Sequence, residues 1–484
     1  MSDSISAPPA EPATRAPAAA RISGLPPTHP QRTDTPVFGF ILLGGPLSGA
    51  LVRDVRLANE LAQRGYPVHV WWVMERRRSA QLHQSITERW LFNGMRYLRL
   101  VNSRGRTGSR LLTVTRPILD ALGRLISRTF SDKRRSHFLQ RRPWVLQRIM
   151  GDLLLHVCDG IDRDPQLIRR FARQLDDAGV THLLPMLAAL CPWADAAAKR
   201  MRQPAGFLVT FQGYELYANY ARALGCERPL YDRFIELVDR SDWPAVAVSP
   251  DYVDRVVNDI GVARDKIQAI PPGVPIPPPL TRDEAKRQIA TAFKTYRPDL
   301  PLLTFVGRCD TEKGIDLLLY ATAILRQRGI DVQLAICGPT LFGTEYRHVC
   351  RQIAENLRCP VFWHRHIADE QRAALFAASD CVVYPSIHRE PFGMVPVEAM
   401  SYGTPAVVPD YGGVAGVIEA EGKIAGVRFR VWDSGDLADQ IQSLLQDRTR
   451  WQQLADAAPH VARYYSVANL ADRILAHLNL PVKR

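Results

Sequence analysis

Paired cysteines are missing from this 484-residue chain. Its eight cysteines, Cys158, Cys191, Cys226, Cys309, Cys337, Cys350, Cys359 and Cys381, stand singly, with no CxxC step and no cysteine–histidine cluster. That spacing offers no metal site and no disulfide framework, so a reduced, cytoplasmic setting is expected. A long hydrophobic run is missing too. Without about 18 consecutive apolar residues, no membrane-spanning helix is expected. Residues 1–35 are rich in Pro and Ala and lack the apolar stretch of a secretory signal, so they read as a disordered tail. Short internal repeats and nucleic-acid-binding modules are likewise absent.

What is present is globular: 46% hydrophobic and 23% charged residues, in a chain long enough for two or three domains. Apolar, β-branched runs alternate with helix-period segments, the pattern of parallel βαβ units. Phe38–Leu43 (FGFILL) reads as a first strand, followed by a glycine-rich loop from Gly44 and a helix through Val55–Arg64. Strands are expected at Val68–Val73, Gly206–Thr210, Ala245–Ser249, Leu303–Val306, Val332–Cys337, Cys381–Pro385 and Ala406–Val408. Residues 271–280 (PPGVPIPPPL) hold six prolines in ten positions, which bars helix and central strand alike and marks a linker between two α/β halves.

Two segments of the second half carry chemistry. In "LLTFVGRCDTEKGIDLLLYA", a strand ends at Val306, Gly307 permits a tight turn, and Arg308 and Lys313 flank the loop before a helix near Gly314. Two cations at such a junction suit a polyphosphate; the bland alternative is a surface loop with solvated charges. In "REPFGMVPVEAMSYGTPAVV", Gly393 makes a turn and a helix runs from about Met394 to Ser401, with Gly403 and Pro405 ending it. The N–H groups of Gly393–Val395 are then open to a phosphate. Glu390 and Glu398 would repel that phosphate and suit neutral vicinal hydroxyls instead. Otherwise Glu390 is a helix cap and Glu398 a solvated helix residue.

"VGRCDTEKGIDLLLYA" and "PSIHREPFGMVPVEAMSYGTPAVVPDYGGVAGVIE" resemble the two donor-site segments of retaining GT-B glycosyltransferases of the large family 4 group (glycosyl transferases group 1), and Glu390 and Glu398 match its E-x7-E pattern. The likeness continues in "FWHRHIADEQRAALFAASD" and, in the first half, in "GGPLSGALVRDVRLANELAQRGYPVHVWWV", "FLVTFQGYELY", "VAVSPDYVDRVV" and "KIQAIPPGV". It implies two Rossmann-like parallel-sheet domains facing each other across a cleft. Residues 36–275 would form the acceptor domain and 276–460 the donor domain. Residues 461–484 would form a helix, near Ala468–Leu478, that crosses back to the first domain. By resemblance, Glu398 holds the ribose of a nucleotide sugar and Glu390 the transferred sugar. N–H groups of Phe392, Gly393, Met394 and Val395 meet the sugar and diphosphate, and Arg308 and Lys313 the departing phosphate. The Gly44–Gly45 loop approaches from the opposite domain, and Arg365 or His366 lies beside the base. Catalysis then rests on Arg308, Lys313 and Glu390, with no metal and no cofactor beyond the nucleotide-sugar co-substrate. The Asp162–Asp164 triplet (DRD) lies outside these segments and reads as solvated charge.

The chain departs from the family at two places. Gln212 stands where a His usually precedes Gly213, and Pro272 and Pro275 replace the usual Asn and Asp. Gln212 is still expected to touch the donor sugar, without carrying charge.

The net charge of +13 has one source. Between Glu75 and Arg148, 17 Arg and Lys133 face only Glu75, Glu88, Asp120 and Asp132, an excess of 14. Within this segment, Pro117–Phe130 reads as a helix with Arg116, Arg124 and Arg128 along one stripe and Leu122, Leu125 and Phe130 opposite. Either its apolar side packs on the domain core, or the helix lies on an anionic membrane; nucleic acid ranks below both. The expected function is transfer of a hexose, from a UDP-sugar by preference, to an acceptor hydroxyl with retention, in polysaccharide or glycolipid synthesis. The acceptor, whether glycan, lipid-linked or a small molecule, is not named by these residues. The rivals are a GT-B sugar-nucleotide epimerase, revealed by donor turnover without acceptor, and a non-catalytic sugar-nucleotide-binding protein, revealed by absent donor hydrolysis.

Overall fold

The computed structural model describes residues 35–44, 48–73, 81–92, 165–213, 215–340, 345–365 and 367–483. The N-terminal tail, Gly45, His366, Cys158, the Asp162–Asp164 triplet and the helix expected at Pro117–Phe130 lie outside them, as does the basic segment apart from residues 81–92.

The first half is built on a five-stranded parallel sheet in the order β3-β2-β1-β4-β5. Its strands are β1 (Phe38–Leu43), β2 (Val68–Val73), β3 (Thr87–Phe92), β4 (His182–Pro185) and β5 (Gly206–Phe207). β1 and β2 are apolar along nearly their whole length because the sheet is covered on both faces. Helix α1 (Gly49–Gln63) starts six residues before the expected Val55, because Ser48 accepts a hydrogen bond from the Leu51 N–H at 3.2 Å and caps it.

The strand expected over Gly206–Thr210 is two short strands in different sheets. Leu208 N still bonds Leu183 O (3.0 Å), whereas Val209 O already accepts from Val246 N (2.9 Å). The chain thus crosses from β5 into a second parallel sheet, β6 (Thr210–Phe211), β7 (Ala245–Ala247) and β8 (Ile267–Ala269).

The second half holds a six-stranded parallel sheet, β11-β10-β9-β12-β13-β16. It comprises β9 (Leu302–Val306), β10 (Gln333–Cys337), β11 (Val361–His364), β12 (Cys381–Val383), β13 (Ala406–Pro409) and β16 (Gly426–Phe429). The antiparallel pair β14 (Glu419–Ala420) and β15 (Lys423–Ile424) stands beside it. Four helices of this half frame the site or return to the first half: α2 (Ile315–Gln327), α3 (Asp369–Ala378), α4 (Met394–Met400) and α5 (Val467–His477). Helix α5 packs on α1 of the first half, and His477 Nε2 lies 2.8 Å from Pro244 O. Val274, in the proline-rich segment, bonds both Tyr465 O (2.8 Å) and Val467 N (3.0 Å), tying the connection to the end of the chain.

Strand order reverses between β1 and β4 in the first sheet and between β9 and β12 in the second. Loops leaving the carboxyl ends of strands at such a reversal diverge and leave a crevice, where open α/β sheets bind ligands.

Candidate active site

The loops after β9 and β12 meet at the reversal in the second sheet. Gly314 is the joint between them. Its φ is +60°, and a Cβ there would lie 2.1 Å from Pro385 O, so only glycine allows this approach. The contact brings Lys313 onto Glu390. Both are buried, at 6% and 8% exposure, and the Lys313 ammonium bonds Glu390 Oε1 directly. Ser386 Oγ donates to the same oxygen at 3.0 Å, and the ammonium stands 5.5 Å from the Tyr384 ring centre.

Burial alone would push Lys313 down, but Glu390, then Tyr384 and Glu312, hold its ammonium above the usual lysine range. Burial alone would push Glu390 up, and Lys313 reverses that and holds the carboxyl below its ordinary value. Tyr384 is pushed up to about 12, first by burial and then by Glu390. The pair is therefore charged on both sides across the neutral range. Arg308 bonds Asp310 and Glu312; burial lowers it, but these two carboxylates keep it above its ordinary value.

Glu398 lies within α4, the helix that follows. At Gly393, with φ +95°, a Cβ would lie 2.6 Å from Val414 Cγ2, which fixes the turn into α4. Phe392 is buried edge-on against Tyr465 at 5.3 Å, while Gly393, Met394 and Val395 are half-buried. Glu398 is neither solvated nor a cap. Its Oε1 bonds Arg56 Nη2 of α1 at 2.6 Å, and its Oε2 is 3.6 Å from Arg372 Nη1 of α3. Arg56 Nη1 also donates to Gly273 O (3.2 Å).

On the first half, Gln212 is buried at the carboxyl end of β6, and its Nε2 donates to Asp54 Oδ2 (3.0 Å) and Met186 O (2.6 Å). The halves touch beside Glu390: Ser249 Oγ donates to Pro391 O (2.6 Å), and Arg389 Nη2 pairs with Asp251 at 2.6 Å. Gly44 is buried and its N–H bonds Val73 O (2.8 Å). Arg365 is exposed and adjoins β11.

The structure thus unites Lys313 with Glu390 in one cluster, with Arg308 reaching it through Glu312. It links Glu398 across the halves to Arg56 and places Gln212 at the carboxyl end of β6 in the first half. Arg56, Arg372, Asp54, Asp251 and Ser386 are not singled out by the sequence. One carries a readable signal. The buried stripe of α1 follows Leu51, Asp54, Ala58 and Leu61, and a carboxylate on the apolar side of an amphipathic helix needs a partner. In the described part of the basic segment, Arg89 is structural: it donates to Gln174 O (2.9 Å) and lies 5.7 Å from the Trp71 ring centre.

Comparison with known proteins agrees with this fold. Residues 287–461 match the family described as glycosyl transferases group 1. The D-inositol 3-phosphate glycosyltransferase of Paenarthrobacter aurescens (strain TC1) is 30% identical over 223 residues, 45% of this chain and 53% of that protein. The mannosylfructose-phosphate synthase of Agrobacterium fabrum (strain C58 / ATCC 33970) is 27% identical over 270 residues, 54% of this chain and 57% of that protein. The chain spans about half the length of the curated relatives it matches. Among solved structures, Anabaena HepE in complex with UDP and glucose superimposes with a TM-score of 0.62 at 16% identity, over 91% of this chain and 99% of that one. The sucrose-phosphate synthase of Thermosynechococcus elongatus gives 0.64 at 17% identity, over 92% and 98%. Residues 287–461 are thus similar to the group 1 glycosyltransferases, and the chain as a whole has the two-sheet GT-B fold of the solved structures.

Proposed function

We propose that this chain transfers a hexose from a nucleotide sugar, a UDP-sugar by preference, to an acceptor hydroxyl with retention of anomeric configuration, in polysaccharide or glycolipid synthesis. The observation that carries the reading is the buried Lys313–Glu390 pair at the strand-order reversal, with Glu398 in the short helix α4 that follows. HepE, of the same fold, holds UDP and glucose, which supports a UDP-sugar here.

In this reading, Glu398 accepts from the ribose hydroxyls and Glu390 from a hydroxyl of the transferred sugar. The N–H groups of Phe392–Val395 and the Gly44–Gly45 loop meet the diphosphate, and Arg365 or His366 the base. Charge grows on the leaving phosphate, and Lys313 and Arg308 stabilise it from fixed positions. The acceptor attacks on the face the phosphate leaves, and the phosphate takes its proton. The protein supplies position and charge, with no side-chain base and no metal ion. The acceptor is a glycan, a lipid-linked sugar or a small molecule. The basic segment at 75–148 docks on the inner face of the membrane from the cytoplasm, so anionic vesicles, and not neutral ones or DNA, should bind the protein and release it in salt.

Calorimetry with UDP, GDP and ADP, followed by turnover of the matching donor in EDTA, tests the reading. Binding of one diphosphate and slow donor hydrolysis are expected. Binding without any turnover leaves only a sugar-nucleotide-binding protein, and no binding at all sinks the proposal.

A further inference from the structure

Among the described residues, Gln212 is held by two acceptors and by no donor. Its Nε2 carries two hydrogens, and Asp54 Oδ2 and Met186 O take both. The reversed amide would set Oε1 against a carboxylate and a carbonyl, neither with a proton to offer. Only one orientation is therefore stable, and it leaves Oε1 as the open valency among the described residues. Asp54 is itself fixed, because Arg53 Nη1 donates to its Oδ1 at 2.6 Å. Arg53, Asp54 and Gln212 are all buried, at 2%, 3% and 8% exposure.

The position of this network matters. Gly213, the next residue, donates its N–H to Tyr252 Oη (2.7 Å), and Ser249, which caps the turn carrying Tyr252, donates to Pro391 O (2.6 Å). Gln212 is thus two short links from the loop that holds Glu390.

We infer that Asp54 is a positioning residue: it holds Gln212 as a fixed hydrogen-bond acceptor, so that this wall of the cleft takes a hydroxyl of the transferred sugar, and it does so only while Asp54 is ionised. The inference rests on the glycosyl transfer proposed above. A group free to turn either donates or accepts; Gln212, held this way, only accepts. Protonation undoes the arrangement. Arg53 occupies Oδ1, so a proton arriving on Asp54 goes to Oδ2, the oxygen that faces Gln212 Nε2. Two donors then meet and the amide loses its anchor. Burial is the largest influence on Asp54 and pushes its carboxyl up to about 6, against the opposing pull of Arg53 and Gln212. Arg53, on the same helix, is the charged group that acts on it, and Gln212, from β6, is the neutral one. The switch therefore falls close to physiological pH, with the active form on the alkaline side.

The test is a set of pH profiles of kcat/KM. UDP-glucose, GDP-mannose and ADP-glucose are screened first, and the donor that is turned over is used throughout. In the wild type, kcat/KM should fall as pH drops through about 6. Asp54→Asn should lower it about 10-fold and remove that inflection, with the affinity for the bare nucleoside diphosphate unchanged. Gln212→Leu should lower it about 10- to 100-fold and also remove the inflection. The double variant should be no worse than Gln212→Leu alone, because Asp54 acts through Gln212. Losses that multiply, or an inflection that persists in Gln212→Leu, overturn the inference. If Asp54→Asn does not fold, the Gln212→Leu profile decides by itself. If a diphosphate binds but the profiles behave independently, only this inference fails; if no diphosphate binds, the proposed function fails with it.

Discussion

Glu390 and Glu398 are equally buried, each 8% exposed, yet they are satisfied in opposite ways. Glu390 finds its cation and its hydroxyl donor inside its own half, in Lys313 and Ser386. Glu398 finds its closest cation across the cleft, in Arg56 of α1, and a more distant one, Arg372, on its own side. The first pocket is assembled by the fold of one domain. The second is complete only where the two halves meet. A buried pair that loses one member strands the other charge, whereas a carboxylate with a second cation beside it, as Glu398 has in Arg372, keeps a partner. The two carboxylates should therefore respond very differently to the removal of their partners.

Lys313→Ala should give the largest effect. It strands Glu390 in a buried site, costing about 3–5 kcal/mol of stability, read as a lower denaturant midpoint. It also removes charge stabilisation from the leaving phosphate, lowering kcat about 100- to 1000-fold. A raised KM with unchanged kcat would reduce Lys313 to simple binding.

Changing the carboxylates themselves sharpens the contrast. Glu398→Ala should weaken the bare nucleoside diphosphate and the full donor alike, by about 10-fold, because the ribose is common to both. Glu390→Gln should spare the bare diphosphate and reduce turnover. Calorimetry with UDP and UDP-glucose separates the cases, and equal weakening of UDP by both changes would refute the roles assigned here.

The smallest effect belongs to Arg56→Ala. The Arg56–Glu398 pair is partly open, with the two side chains 18% and 11% exposed. Its loss frees a carboxylate oxygen for ribose while Arg372 stays beside Glu398. UDP affinity should rise a few-fold, more at low salt than at high salt. A drop in UDP affinity would show instead that Arg56 itself holds the nucleotide.

Much of the fold and part of the site are legible in the sequence. The apolar runs at β1 and β2 announce strands covered on both faces, and Gly307, Gly314 and Gly393 mark the turns that the second sheet uses. The loops bearing Arg308, Lys313 and Glu390 are recognisable from local order alone. Gly206–Thr210 reads as one strand because a run of suitable residues says nothing of which sheet each end joins; hydrogen bonds to Leu183 and Val246 split it. Arg56 looks like any exposed cation on an amphipathic helix, and Asp54 shows only as a charge on the wrong stripe.

By itself the sequence determined the alternation of strands and helices, the glycine turns and the presence of two carboxylates beside two cations, because each depends on neighbours within one element or one loop. Only the tertiary structure decided the partnerships. Lys313 meets Glu390 across 77 positions of chain, Gln212 meets Asp54 across 158, and Arg56 meets Glu398 across 342. Charges and amides pair by distance in space and by the water excluded around them, and neither quantity is written along the chain.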